Sequence, residues 1–143
     1  LEEIFMVNII MGEKGAGKTK MLINMVNESV KTESGNVVCI EAGTKLTYDI
    51  NYAVRLIDIT EYKISDFDAL FFFINGLYAG NHDITAIYID SIFKICKRPM
   101  KEFEAFLKKL EAFADSEGIR VVITVSANPA EATDFVRSRF MIA

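Results

Sequence analysis

Tryptophan is absent from this chain of 143 residues, and histidine (one), proline (two) and cysteine (two) are scarce. Several of these scarcities exclude a class of protein. Cys39 and Cys96 lie far apart, with neither the spacing of metal ligands nor a disulfide framework, so buried free thiols in a reducing cytoplasm are the plain reading. The only histidine, His82, falls in the polar turn 80–83 without an evident partner and reads as a surface residue. No internal repeat, low-complexity tract or Pro/Ser-rich linker interrupts the chain, which reads as a single domain over residues 1–143. No apolar run approaches the roughly 20 residues that span a bilayer. The first three residues lack the basic start and apolar stretch of a signal peptide, and the expected location is cytoplasmic. Positive charge is not in surplus either: 16 Lys and Arg stand against 20 Asp and Glu, a net −4. That leaves no global field to draw nucleic acid or an anionic membrane. Lys94, Lys97, Arg98, Lys101, Lys108 and Lys109 form a local basic stretch, read as a solvated helix start and loop rather than a phosphate track.

What is there is half hydrophobic, an ordinary globular composition, and it holds one specific motif. Gly12-Glu13-Lys14-Gly15-Ala16-Gly17-Lys18-Thr19 fits G-x-x-x-x-G-K-[ST], the phosphate-binding P-loop. The glycines allow a tight turn that brings successive N–H groups onto a phosphate chain. Lys18 suits the β- and γ-phosphates, and Thr19 offers a hydroxyl to Mg²⁺. Lys20 closes the stretch expected to contact nucleotide. A helix starting at Gly17 or Lys18 adds the positive end of its dipole. The context agrees. Residues 4–11 are almost wholly apolar, as a strand buried on both faces should be. After the loop, Met21, Leu22, Met25, Val26 and Val30 recur at helical spacing.

Further along, a turn at 33–36 precedes an apolar strand over 37–40, then a loop over 41–45 and a strand over 53–59. Ser65 is placed to cap a helix carrying Phe67, Leu70, Phe71, Ile74, Leu77 and Tyr78 on one face, a stripe that reads as core packing. An apolar strand reaches Asp90. A helix over 99–117 is ended by Gly118, and a buried strand covers 121–125. A short helix over 130–138 and a last strand over 140–142 complete the pattern. Strands alternating with helices predict an α/β three-layer sandwich with a mostly parallel sheet. Ligands in such sheets bind at the carboxyl ends of the strands, where the P-loop, Glu41, Asp90 and Ser126 all fall.

Ile87-Tyr88-Ile89-Asp90 has the form of a Walker B element, an acid at the tip of an apolar strand beside the Mg²⁺ that Thr19 helps to hold. The alternative for Asp90 is an N-cap of the next segment. On these residues the chain resembles the P-loop nucleoside triphosphatases, in their RecA- and AAA+-like branch. Asp90-Ser91 resembles the Asp-Ser pair of RecA-like ATPases. The resemblance implies ATP and Mg²⁺ as cofactors and gives Lys18 and Glu41 catalytic roles, with Thr19 and Asp90 on the metal. Glu41 stands where the family places a glutamate that orients the attacking water; the other reading is a solvent-facing loop glutamate. Ser126 and Asn128 stand where the family senses the γ-phosphate, although Asn128-Pro129 is also a turn starter. Arg137-Ser138-Arg139-Phe140 is similar to the Ser-Arg-Phe of AAA+ proteins, whose arginine reaches a neighbouring subunit's nucleotide. Arg139 is therefore either such a finger or a surface residue, and the AAA+ helical lid is missing.

Lys14 sits one place later than the extra lysine of ParA/MinD-like ATPases and reads as an exposed loop residue. No Asn-Lys-x-Asp follows the later strands, so the guanine-reading element of Ras-like GTPases is absent and ATP is favoured over GTP. The chain is also similar to small stand-alone bacterial ATP-binding proteins of unassigned process. The leading expectation is a Mg²⁺-dependent ATPase, possible as a homo-oligomer or with a protein partner that completes the site. The alternatives are a small-molecule phosphotransferase, and a nucleotide-gated binding module with little turnover.

Overall fold

A computed structural model describes residues 5–141. Five strands, β1 (Val7–Gly12), β2 (Asn36–Glu41), β3 (Arg55–Asp58), β4 (Ile84–Ile89) and β5 (Arg120–Ser126), form one sheet in the order β1-β5-β4-β2-β3. Every pairing is parallel. A strand sends successive side chains to opposite faces, and here both faces are buried. Val7, Ile9, Val38, Ile40, Ile87, Ile89, Val121 and Ile123 belong to one core cluster. Ile10, Val37, Cys39, Ala86, Tyr88 and Val122 belong to the other. That is why the strands read as continuous apolar runs rather than alternating ones.

The first cluster is closed by α2 (Phe67–Gly80), α3 (Ile92–Ile95) and α4 (Met100–Glu117). Phe67, Leu70 and Ile74 of α2 are buried there, with Phe71, Leu77 and Tyr78 packed beside them, so the aromatic stripe is core. The second is closed by α1 (Lys18–Thr32) and by the segment between β2 and β3, which inserts Leu46, Ile50 and Val54. The result is helix, sheet and helix in three layers.

Several local expectations change. Met21 is 38% exposed, and Ser29 takes a buried place on α1. Its hydroxyl donates to the Val26 carbonyl at 2.7 Å, so a polar residue fits the apolar face. Asp66, not Ser65, caps α2, its carboxylate accepting from Ala69 N at 2.8 Å. Glu41 ends β2 instead of opening a loop. The segment 130–138 is not one helix. A 3-10 turn at Pro129–Glu131, capped by Asn128, precedes α5 (Asp134–Arg137), capped by Thr133. Each cap draws the chain into a separate short turn. Phe140 makes one parallel bridge with Ile9 on the outer edge of β1. Met141 donates its N–H to the Ile9 carbonyl at 2.9 Å without extending the bridge into a strand. Ile142, the end of the expected last strand, and Ile4, the first residue expected in β1, lie outside the described residues.

Cys39 and Cys96 are both buried and free. Burial pushes each thiol up to about 12, which leaves them inert at neutral pH. Exposed His82 lies against Tyr78 in a tilted ring contact, with centroids 4.9 Å apart. Among the described residues no helix is long and apolar enough to cross a membrane.

Candidate functional site

Parallel pairing brings the carboxyl ends of the strands to one rim. Gly12 at the tip of β1 is in register with Ser126 at the tip of β5, and Ile89, the last residue of β4, with Ile123. The loop after β1 turns directly into α1. Gly15 and Gly17 have φ of +91° and +84°, a left-handed backbone that glycine adopts without strain. A Cβ on Gly12 would lie 3.2 Å from the Cβ of Ala16 and 3.7 Å from Cδ of Lys18. The loop therefore closes tightly over its own lysine.

Gly17 is the N-cap of α1, no side chain caps the helix, and its first turn contains no acid. The positive end of the helix is left to an incoming anion. Lys18 is 7% exposed, and its ammonium donates to the Glu13 carbonyl at 2.9 Å. Glu13, Lys14, Gly15, Ala16 and Lys20 are exposed around it.

Across the rim, Thr19 Oγ1 lies 3.2 and 3.4 Å from the two carboxylate oxygens of Asp90, 71 residues away in the chain. Asp90 is 8% exposed. It is not an N-cap: Ser91 holds that place before α3, with φ +55°. Two more hydroxyls reach Asp90. Ser91 Oγ donates to Oδ2 at 3.1 Å and Thr124 Oγ1 to Oδ1 at 2.8 Å. Hard oxygen donors side by side at a helix N-terminus suit Mg²⁺, which prefers carboxylate, hydroxyl and water ligands.

Glu41 is 4% exposed, so the solvent-facing reading fails. Both its carboxylate oxygens accept from Leu46 N at 3.3 Å. Burial pushes this carboxyl above its ordinary range. The Leu46 N–H opposes that rise, while the negative charges of Asp90 and Asp58 add to it. A cavity of about 140 Å³ is walled by Thr19, Glu41, Lys45, Asp90, Ser91 and Lys94. Larger hollows of about 820 and 550 Å³ open between β3 and α2 and between α2 and α4. Neither contains a P-loop residue, so convergence of chemistry rather than size marks the site.

Ser126 is exposed at the tip of β5, opposite Gly12. Asn128 accepts from Ala130 N at 3.0 Å, as a turn starter does. Arg139 is neither a projecting finger nor a surface residue. Its guanidinium makes two bonds to Glu111 at 2.6 and 2.7 Å and lies 3.6 Å from the ring centroid of Phe5 and 4.5 Å from that of Phe135. Its side chain is 11% exposed. Exposed Arg98 is paired with Glu102 at 2.7 Å, so the basic stretch is in part a neutralised helix start. Thr124 escapes sequence reasoning; its only signal there is one hydroxyl within an otherwise apolar strand.

No protein-family model and no curated protein matches this chain. Among solved structures, the crystal structure of the flagellar accessory protein FlaH from Methanocaldococcus jannaschii is similar, with a TM-score of 0.53 and 17% identity. The match covers 92% of this chain and 65% of that one, so the chain spans just under two thirds of the FlaH structure. At that identity the likeness shows the fold alone, a parallel sheet between two layers of helices.

Proposed function

We propose that residues 1–143 form one nucleotide-binding domain that takes ATP with Mg²⁺ in the P-loop and hydrolyses it. The observation that carries this reading is the meeting of the Thr19 hydroxyl and the Asp90 carboxylate beside the uncapped start of α1. A loop that only turned the chain would have no reason to bring a buried acid to its threonine. Backbone N–H groups over residues 13–18 cradle the phosphates. Lys18 exchanges its bond to the Glu13 carbonyl for the β- and γ-phosphates, and Thr19 and Asp90 hold the metal. When bound, Mg²⁺ neutralises charge that develops on the phosphate oxygens. Glu41 orients the attacking water from the far wall of the small cavity, and Ser126 contacts the γ-phosphate side from the tip of β5.

Two features weigh against transfer to a metabolite. The cavity between Glu41 and Asp90, about 140 Å³, suits water rather than a substrate-sized acceptor. The late arginines that a phosphotransferase could bring over the phosphates are engaged elsewhere. Arg137 donates to the Ala132 carbonyl, Arg139 holds Glu111, and Arg120 opens β5 at the opposite rim, 3.5 Å from Glu33. A second reading, a nucleotide-gated module with little turnover, draws support from the Leu46 N–H that occupies the Glu41 carboxylate.

Calorimetric titration with Mg-ATP and Mg-GTP, with phosphate release followed on the same samples, tests both. Binding of Mg-ATP with turnover is the expected result. Binding without turnover supports the gated module, and no binding of either nucleotide overturns both readings.

A further inference from the structure

Thr124 is the one hydroxyl residue inside the apolar run of β5. It is 1% exposed, between Ile123 and Val125, which are fully buried. A buried hydroxyl is costly unless its hydrogen bonds are satisfied. This one is satisfied on both sides by a single neighbouring unit. Thr124 Oγ1 accepts from Ser91 N at 2.7 Å and donates to Asp90 Oδ1 at 2.8 Å. A hydroxyl has one proton to give, and the Ser91 N–H approaches its oxygen, so that proton is committed to Asp90.

Ser91 has φ +55° and ψ 62°, a left-handed backbone that non-glycine residues seldom adopt. The turn brings Ser91 Oγ to Asp90 Oδ2 at 3.1 Å. Thr124 thus restrains one carboxylate oxygen directly and the other through the backbone of Ser91. The sheet order explains why β5 supplies this group: it lies between the P-loop strand and the strand that leads to Asp90.

We propose that Thr124 is a positioning residue for the metal: it fixes the rotation of the Asp90 carboxylate so that its open side faces Thr19 and the P-loop. The proposal rests on the reading of Asp90 as a Mg²⁺ ligand. Thr124 touches neither metal nor nucleotide; it acts through Asp90. Hydrogen bonds that orient a ligating carboxylate tune metal affinity, and a contact that reaches the site only through Asp90 leaves the phosphate contacts of the loop in place.

The test uses Mn²⁺ as a spectroscopic substitute for Mg²⁺. Mn²⁺ affinity in the presence of ATP is read by electron paramagnetic resonance, and ATP affinity without metal is read in EDTA. Thr124→Val keeps the shape and removes both hydrogen bonds; it should weaken Mn²⁺ binding by roughly 10- to 100-fold, with metal-free ATP affinity changed by less than about threefold. Thr124→Ser should return Mn²⁺ affinity to within about threefold of wild type. If Thr124→Val does not fold, Thr124→Ala is measured in its place. Unchanged Mn²⁺ affinity in the folded variant overturns the proposal. So does an equal loss of metal-free ATP binding, which would mark Thr124 as purely structural. A wild-type protein whose ATP binding ignores Mn²⁺ would instead overturn the metal reading of Asp90 itself, an outcome visible before any variant is made.

Discussion

Residues 12–19 and residues 137–140 both carry the form of an ATPase motif, yet they fold to opposite ends. The first segment becomes a loop whose glycines, helix start and lysine converge on one rim of the sheet. The second turns its arginine inward, onto Glu111 and two phenylalanine rings. A P-loop is mostly a specification of backbone: glycines where φ must be positive, then a helix. Those demands are met locally, so the motif carries its own structure. A single long side chain specifies nothing about its surroundings. Where a carboxylate and aromatic faces lie within reach, an arginine pairs and stacks there.

The sharpest way to break this contrast is to remove each cation and read two properties. Arg139→Ala leaves the Glu111 carboxylate, only 16% exposed, without that partner. Losing the two charge-assisted hydrogen bonds and the ring contacts of a part-buried guanidinium costs about 3 kcal/mol, so the denaturant midpoint should fall while nucleotide affinity stays as it was. An Arg139→Ala protein that is stable but loses turnover would return the arginine to the role of a finger. Lys18→Ala should do the reverse. Loss of a charge-assisted contact to phosphate is worth about 3 kcal/mol, or roughly 100-fold in Kd for Mg-ATP. Its effect on stability should be small, because among the described residues the Lys18 ammonium bonds only to the loop carbonyl of Glu13. Equal Mg-ATP affinity in Lys18→Ala and wild type would remove the P-loop reading.

How far the sequence is legible follows the same division. Strand runs, the P-loop and the acid at the tip of β4 are visible because each is written in contiguous residues. Glycine at left-handed positions and apolar runs buried on two faces leave little choice of structure. Capping was harder. Ser65 and Asp66 are adjacent, both are good N-caps, and only the path of the chain decides between them. Met21 fits the helical stripe but lies one turn from the loop, at the rim of the core. Thr124 and Leu46 acquire their roles from partners 34 and five residues away, through contacts that no local pattern encodes. Arg139 fails for the same reason, its partner Glu111 being 28 residues distant.

Glu41 lies between the two cases, predicted by its place after a strand yet held by a contact that the sequence does not announce. Glu41→Gln keeps the shape and removes the carboxylate. Turnover should fall by roughly 100-fold, the lower end for a general base, while Mg-ATP affinity stays near wild type. The pH dependence supplies a second readout. The folded-state pKa lies above the ordinary value because burial disfavours the charge, so the folded protein holds a proton that the unfolded chain has already lost. The associated stability is present at low pH and is lost as pH rises through the raised value. Turnover has the opposite sign, since water is oriented by the carboxylate and activity should rise across the same window. In Glu41→Gln both slopes should vanish. Wild-type turnover that is flat across the acidic range would remove Glu41 from the chemistry.

The smallest effect sharpens the contrast in a third region, the segment 42–54 that carries the Leu46 N–H to Glu41. It is neither a motif nor a lone side chain, and two kinds of contact hold it. Leu46, Ile50 and Val54 bury themselves against α1 and the sheet. Asn27 of α1 clasps it with two hydrogen bonds, Nδ2 donating to the Asp49 carbonyl at 2.8 Å and Oδ1 accepting from Asn51 N at 2.7 Å. The apolar anchors give the segment most of its stability, and the clasp gives it register. Asn27→Ala should therefore cost only about 1 kcal/mol, as for other exposed hydrogen bonds. That cost should appear as local opening, with hydrogen exchange at the Asn51 amide roughly fivefold faster and the global unfolding midpoint nearly unchanged. Tyr48 and Tyr52, 98% and 99% exposed, contribute no burial that could compensate. A global loss as large as the local one would mean that the segment opens only when the whole sheet does. The hydrogen bond from Leu46 N to Glu41 would then be as rigid as the P-loop, and a nucleotide-driven rearrangement of this segment, which the gated reading needs, would have no local motion to use.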